Sequence, residues 1–227
     1  MSGHVLDRPV WNALTGRQAA LAKGDARAWR LAEDYGVFVA AADWSAENLA
    51  AVRDLIPAGG SLWTVEAERQ TPPPGTAMLK EAHLHQMVAE TLTPAPPPAF
   101  EIVPLGEADA REMFVLARLT EPGPYNEGTH RLGQFVGVKH DGRLVAMAGE
   151  RLRPTGFTEV SGVCTHPDFR GRGYAGGLMR HVTAAILARG ETAFLHSYAS
   201  NAGTIGLYES LGFRFRSEMW SLILVHA

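Results

Sequence analysis

The fold of this chain is constrained most by a junction at which an apolar run meets a glycine-rich turn and then a helical pattern. Phe157 to Thr165 is rich in β-branched and small residues, which favours a strand. Apolar residues then recur at helical spacing, at Leu178, Met179, Val182, Ile186 and Leu187. Gly171 and Gly173 allow the backbone to approach a ligand, and the new helix supplies unpaired N–H groups. The junction therefore predicts a phosphate-binding site, to which Arg170 and Arg172 add positive charge.

Two kinds of phosphate-binding site fit this junction. Gly171, Gly173 and Gly176 match the G-x-G-x-x-G pattern of dinucleotide-binding proteins. Glu191 follows about 20 residues after the turn, as that pattern requires. In the dinucleotide mechanism, however, the acid stands at the end of the second strand, where it meets the ribose. Glu191 precedes the next apolar run, residues 193–197, so a dinucleotide site is the weaker hypothesis.

The same turn resembles the acyl-CoA-binding loop of the GCN5-related N-acetyltransferase (GNAT) family. Arg170, Gly173 and Ala175 match the family signature Q/R-x-x-G-x-G/A. A second motif of the family is a helix that begins at an Asn, carries a Leu-Tyr pair and is followed by Gly-Phe. The residues that look like it are Asn201, Ala202, Leu207, Tyr208, Leu211, Gly212 and Phe213. The resemblance covers about residues 100–224 and fits the subset with an FR47-like C-terminal half.

This resemblance implies a GNAT acyl-CoA N-acyltransferase fold, which is a mixed α/β sheet, and transfer of an acetyl group from acetyl-CoA to a primary amine. It places acetyl-CoA in a gap beside the central strand, where Gly162 predicts a bulge that splays the sheet. The cofactor-binding residues that it implies are Val163, Cys164, Thr165, Arg170, Gly171, Arg172, Gly173, Tyr174, Ala175, Asn201 and Tyr208. It also implies that Tyr208 protonates the departing CoA thiolate and that the amide near Val163 stabilises the oxyanion.

Two acids are candidates for the general base that removes the amine proton. Glu150 and Glu159 each interrupt an apolar strand pattern near the expected thioester, and a buried carboxylate with a raised pKa suits the role. Each could instead lie at a sheet edge or face solvent. Positioning of two bound substrates can supply roughly 7–11 kcal/mol, and a general base contributes about 10²–10⁴-fold. Positioning therefore matters more than the base.

Three of the implied site residues have simpler interpretations. Tyr208 could pack without taking part in chemistry, and Asn201 could cap the helix that it begins. Cys164 could be an acylated nucleophile next to His166, but a buried strand cysteine is the favoured interpretation.

Composition excludes several classes of protein. The 227 residues carry a formal net charge of −3, which argues against general nucleic-acid binding. The sequence contains no apolar run of the roughly 18 residues that a membrane span needs, and no basic start before an apolar core. A cytoplasmic protein that binds no membrane is expected. Cys164 is the only cysteine, which excludes an intrachain disulfide and a cysteine-built zinc site, and no metal is expected.

The chain is predicted to comprise an N-terminal α/β segment (1–93), a proline-rich linker (94–99) and a GNAT domain (100–227). The first segment contains strand patterns at residues 37–41 and 62–66, and helix patterns that begin at Ser45 and at Ala77. This order could be a reduced GNAT-like half, but a structural or substrate-covering role is favoured over a second active site. His83 and His85 would diverge in the second helix, Ala77 to Leu92, and are expected to be core or surface residues.

The C-terminal part predicts the mixed sheet order of the family. Glu101 to Pro104 is a strand pattern, Asp109 caps a helix pattern, and Asp141-Gly142 predicts a hairpin turn. The end of the chain predicts two short strands, at residues 214–216 and 220–225.

The predicted function is acetyl transfer from acetyl-CoA to an amine by direct attack in a ternary complex. The acceptor could be a small molecule or a protein N-terminus, and the loop from Glu121 to Arg131 is expected to contact it. Two alternatives stay open: an acyl-CoA sensor without turnover, and a dinucleotide-binding oxidoreductase. The sequence also leaves open whether the chain forms a homodimer.

Overall fold

The computed structural model describes residues 3–227, which form two β-sheets and five α-helices. The smaller sheet is antiparallel and contains β1 (Ala22–Asp25), β2 (Ala28–Leu31) and β3 (Val39–Ala41). The strands of the larger sheet are β4 (Leu62–Trp63), β5 (Thr76–Ala89), β6 (Val103–Leu105), β7 (Phe135–His140), β8 (Arg143–Glu150), β9 (Phe157–Thr165), β10 (Thr192–Tyr198) and β11 (Arg214–His226). Their order in the sheet is β4-β11-β5-β10-β9-β8-β7-β6, and only β9 and β10 pair in parallel. This mixed α/β architecture confirms the predicted fold class.

The helices cover both faces of the larger sheet. They are α1 (Pro9–Leu14), α2 (Ala46–Asp54), α3 (Ala110–Thr120), α4 (Tyr174–Ala188) and α5 (Ala202–Leu211). The buried residues of α4 pack against Val136 of β7, whereas those of α3 pack against the adjacent Phe135. Successive strand residues point to opposite faces, so α3 and α4 lie on opposite sides of the sheet. Within residues 3–227, no helix combines the length and the apolar character that crossing a membrane would require.

Local sequence signals are confirmed where they were strongest. Asp141 and Gly142 both adopt left-handed backbone conformations, with φ of 49° and 77°, and form the predicted tight turn between β7 and β8. The side chain of Ser45 accepts a hydrogen bond from the amide of Asn48 and caps α2.

The predicted helix from Ala77 to Leu92 is wrong, because most of these residues form the long strand β5. The segment is rich in Ala, Leu, Lys, Glu and Met, which favour helices in isolation. In the fold it pairs with β11 along one edge and with β10 along the other, and this pairing outweighs local propensity. His83 and His85 consequently lie on one face, where His83 stacks on Trp220 and His85 packs edge-on against Phe215.

The chain end is also simpler than predicted. In place of two short strands, β11 runs continuously from Arg214 to His226, with a register shift between Phe215 and Ser217. A bulge keeps both parts paired with β5, so the interruption in the sequence pattern does not end the strand.

The larger sheet takes strands from both sides of the proline-rich segment 94–99. β4 and β5 precede that segment, and β5 lies between β10 and β11. The segment contains no helix or strand, but it does not divide two sheets. Met1 and Ser2 of the predicted N-terminal segment lie outside the described residues. The hypothesis that this segment is a reduced GNAT-like half stays a prediction.

Candidate active site

The central strands β9 and β10 part near the middle of the sheet. They pair only where Phe157 to Glu159 lie beside Thr192 to Phe194. Beyond this point β9 stays paired with β8 as far as Thr165, and β10 stays paired with β5 as far as Tyr198. A gap therefore opens between the carboxyl ends of two parallel strands, which is where ligands bind in open α/β sheets.

The predicted bulge lies at the start of this gap. The pairing of β8 with β9 shifts between Met147–Cys164 and Gly149–Ser161, which leaves one extra residue in β9. Gly162 lies in that shift with a φ of 64°, a conformation that favours glycine. Such a bulge bends a strand locally, and here the bend accompanies the separation of β9 from β10.

The glycine-rich turn forms one wall of a cleft of about 410 Å³. Gly171 and Gly173 both have a φ of 77°, and the space where a side chain would begin is empty at each. Gly173 is the N-cap residue of α4, and no side chain caps the amides that follow it. The cleft thus combines an uncapped helix N-terminus with backbone that a ligand can approach, the properties expected of a pyrophosphate site.

The structure brings together all the predicted cofactor-binding residues except Asn201. Those that line the cleft are Val163, Cys164, Thr165, Arg170, Gly171, Arg172, Gly173, Tyr174, Ala175 and Tyr208. Asn201 caps α5, because its Oδ1 accepts a hydrogen bond of 3.3 Å from the amide of Thr204, and its predicted contact with the cofactor stays a prediction.

A second cleft, of about 300 Å³, lies beside the first. Its walls come from distant parts of the chain and include Phe38, Trp63 and Arg151. Residues 121–124 of the predicted acceptor loop line it as well, as does Asn201. The two clefts share three lining residues, which are Val163, Thr204 and Tyr208. A ligand in one cleft would therefore meet a ligand in the other beside these three residues.

Tyr208 is the only ionisable side chain of the three that the clefts share. Burial raises the pKa of its hydroxyl to about 12, so the group stays protonated at neutral pH. Among the described residues, no group forms a hydrogen bond with this hydroxyl. Its proton is therefore available to a ligand at the junction of the clefts.

Cys164 has the properties of a packing residue. Its thiol is buried, and this burial raises its pKa to about 11. The Nδ1 atom of the nearby His166 accepts a hydrogen bond from the Asp168 amide. A protonated thiol without a partner base is a poor nucleophile.

Glu159 does not have the raised pKa expected of a general base. Burial acts to raise it, but the charge and hydrogen bonds of Arg151 and the hydrogen bond to His196 outweigh burial and lower the pKa to about 2. Its two oxygens accept from Nε and Nη2 of Arg151 at 2.9 and 2.7 Å, and the Nδ1 of His196 lies 2.8 Å away. Glu159 lines neither cleft. A carboxylate held in this way is a weak proton acceptor.

Glu150 also lies away from the clefts. It is buried, and its Oε1 forms an ion pair of 2.7 Å with Arg189. It precedes Arg151 directly, and successive residues of an extended chain point to opposite sides. The structure therefore places neither predicted base at the shared junction.

Sequence reasoning missed the side chains that shape the second cleft. Arg151 follows one apolar run and His196 interrupts another, and these positions were the signal that the sequence offered. Phe38, which directly precedes β3, and Trp63 of β4 reach the cleft from the N-terminal segment. Nothing local in the sequence relates these aromatic residues to β9.

Comparison with known proteins identifies relatives over the whole described fold. A family model described as FR47-like protein matches residues 135–221. A search of curated proteins found no match. A solved structure of a GNAT-family protein from Novosphingobium aromaticivorans is 50% identical, with a TM-score of 0.90 over 99% of this chain and 100% of that chain.

Two more distant structures share the fold. A GCN5-related N-acetyltransferase from Kribbella flavida is 18% identical over 93% of this chain and 92% of its own, with a TM-score of 0.62. A GCN5-related N-acetyltransferase-like protein from Streptococcus suis is 16% identical over 95% and 92%, with a TM-score of 0.60.

Proposed function

This chain belongs to the GCN5-related N-acetyltransferase family, and we propose that it transfers an acetyl group from acetyl-CoA to a primary amine within a ternary complex. Members of this family use acetyl-CoA as co-substrate and amines as acceptors. The observation that carries the proposal is the junction of the two clefts at Val163, Thr204 and Tyr208. One cleft has the glycine turn suited to a pyrophosphate, and the other is left for the amine.

The chain contributes mainly by positioning the two substrates. In the proposed reaction the nitrogen lone pair of the amine forms a bond to the acetyl carbon, and the C–S bond breaks with its electron pair on sulfur. The nitrogen releases a proton to solvent, while Tyr208 donates a proton to the thiolate and recovers one from solvent. Because Glu150 and Glu159 lie outside the clefts, no side-chain base is assigned. Positioning can account for roughly 7–11 kcal/mol of the barrier.

The free energy of unfolding should rise with acetyl-CoA and not with NAD. At about 100 times its dissociation constant, a ligand adds roughly 2.7 kcal/mol. NAD should have no such effect, because Glu191 is not placed to bind its ribose. Glu191 precedes β10, at the opposite end of the parallel strands from the glycine turn, and forms an ion pair of 2.9 Å with Arg17. Thermal unfolding with each ligand checks this. Equal stabilisation by acetyl-CoA and NAD would contradict the assignment of this cleft to acetyl-CoA. Detection of the acetylated amine by mass spectrometry distinguishes an enzyme from a sensor without turnover.

Replacing Cys164 with alanine should leave kcat nearly unchanged. The thiol is buried and its pKa is raised to about 11, so it contributes packing rather than chemistry. Loss of the sulfur should cost about 1 kcal/mol of stability. Initial rates of thiol release from acetyl-CoA measure the effect. Abolished turnover in a folded Cys164→Ala protein would indicate an acyl-enzyme on Cys164 instead of direct attack.

A further inference from the structure

The guanidinium of Arg151 presents an unused edge in the second cleft. Glu159 occupies its Nε and Nη2 atoms, whereas Nη1 forms no hydrogen bond within residues 3–227. Gly123 lines the same cleft, and a Cβ built on it would lie 3.9 Å from Nη1. Only 12% of the Arg151 side chain is exposed, so its free N–H groups are partly desolvated. Unpaired donors in such a place favour an acceptor group on a ligand.

A chain of hydrogen bonds fixes the orientation of this guanidinium. Glu159 is itself held by the Nδ1–H of His196 at 2.8 Å. The Nε2 of His196 accepts from the Gln86 amide at 3.0 Å, and the Gln86 oxygen accepts from Arg216 at 2.7 Å. The guanidinium also lies over the ring of Phe38, 4.7 Å from its centroid. Because Arg151 is held before any ligand arrives, little conformational entropy is lost on binding.

The rest of the cleft lining combines polar side chains with one cluster of apolar side chains. Phe38, Trp63, Val65 and Leu84 contribute side chains to its lining. At about 300 Å³, the cleft can hold a side chain of aromatic size. The cleft thus combines one fixed cationic fork, one apolar compartment and the junction with the cofactor cleft.

We propose that the acceptor is an α-amino acid with a bulky apolar side chain, whose carboxylate binds the free edge of Arg151. The guanidinium is planar and matches a carboxylate through two parallel N–H donors, here from Nη1 and the second N–H of Nη2. Glu159 takes the other edge, so both carboxylates can be bound at once. The apolar side chain occupies the compartment of Phe38 and Trp63, and the amine faces Val163 and Tyr208. This inference rests on the proposed acetyl transfer.

The test compares three amines of the same shape: L-phenylalanine, L-phenylalanine amide and 2-phenylethylamine. Values of kcat/KM are measured by thiol release from acetyl-CoA and expressed per free-base amine, using the titration curve of each compound. We expect L-phenylalanine to exceed both of the others by about 10- to 100-fold, as one charge-assisted contact predicts. If 2-phenylethylamine has the same kcat/KM as L-phenylalanine, the carboxylate site is wrong, while the proposed acetyl transfer still holds. Failure of a broad amine panel to release thiol would overturn both.

A pair of variants locates the effect. Arg151→Met combined with Glu159→Gln removes the fork without leaving a buried unpaired carboxylate, which would be strongly destabilising. In this double variant, the ratio of kcat/KM for L-phenylalanine to kcat/KM for 2-phenylethylamine should fall to about one, because no charge-assisted contact distinguishes the two amines. Glu159→Gln alone keeps the guanidinium and one acceptor oxygen to hold it, so it should retain a preference clearly above that of the double variant. If the double variant keeps the full preference, Arg151 is not the carboxylate site. If it does not fold, the amine comparison on the parent protein still decides the proposal.

Discussion

Gly173→Val should weaken acetyl-CoA binding by about 100-fold or more, because a side chain would fill the space left for the pyrophosphate. Two lost charge-assisted hydrogen bonds of roughly 1.5–3 kcal/mol each correspond to at least this change. At Gly173 the φ is 77° and no heavy atom occupies the position of a side chain. The dissociation constant of acetyl-CoA, measured by calorimetry, gives the effect directly.

Gly190→Val is the matched control for this variant. Gly190 has a φ of 75° and equally open surroundings, but it follows the opposite end of α4 from the glycine turn. Both substitutions force a β-branched residue into the left-handed region and cost about 1–3 kcal/mol of stability. Only Gly173→Val should change cofactor affinity. Equal affinities in the two variants would show that the turn does not hold the pyrophosphate.

Tyr208→Phe should lower kcat by about 10- to 100-fold with little change in acetyl-CoA affinity. The substitution keeps the ring, which packs at a tilt against Phe213, and removes only the hydroxyl proton. The lost interaction exists mainly in the transition state, where the thiolate leaves. Steady-state rates of thiol release for parent and variant provide the measurement, and an unchanged kcat would reduce Tyr208 to a packing residue.

The deficit of Tyr208→Phe should shrink as the pH rises. The pKa of Tyr208 is raised to about 12, so the parent keeps its proton donor across the whole working range. A thiolate above a pKa near 8.5 leaves without needing a proton, so the variant recovers from about pH 8.5 upward. A constant ratio between parent and variant from pH 7 to pH 10 would contradict proton donation by this tyrosine.

The sequence predicts those parts of the site whose conformation depends on residues adjacent along the chain. The glycine turn at Arg170 to Ala175 and the hairpin at Asp141 and Gly142 are set by backbone conformations that only certain residues tolerate. Such signals are local and can be recognised without knowledge of the fold. The bulge at Gly162 belongs to the same class.

Distant pairing explains what the sequence does not predict. The residues of β5 are good helix formers, and only their position between β10 and β11 makes them a strand. The second cleft depends on that strand and on the N-terminal segment, so its lining could not be assigned in advance. Its arginine and aromatic residues come together only in the folded chain.

Glu159 shows why burial alone does not set the direction of a pKa shift. Of the two alternatives that the sequence left open, the structure shows the buried one, and burial alone raises the pKa of a carboxyl group. Arg151 and His196 reverse the sign, because both contact the carboxylate. Neither contact is visible in the sequence, so the direction of the shift required the structure.

The most direct test of direct transfer between the two clefts is an initial-rate study of thiol release, with acetyl-CoA and an amine varied together. Reciprocal plots should give intersecting lines, and mass spectrometry should find the acetyl group on the amine. Intersecting lines require both substrates to be bound before the first product leaves, as expected for clefts that meet at Val163 and Tyr208. Parallel lines, which indicate a covalent acetyl-enzyme, or the absence of any acetylated amine, would contradict the account.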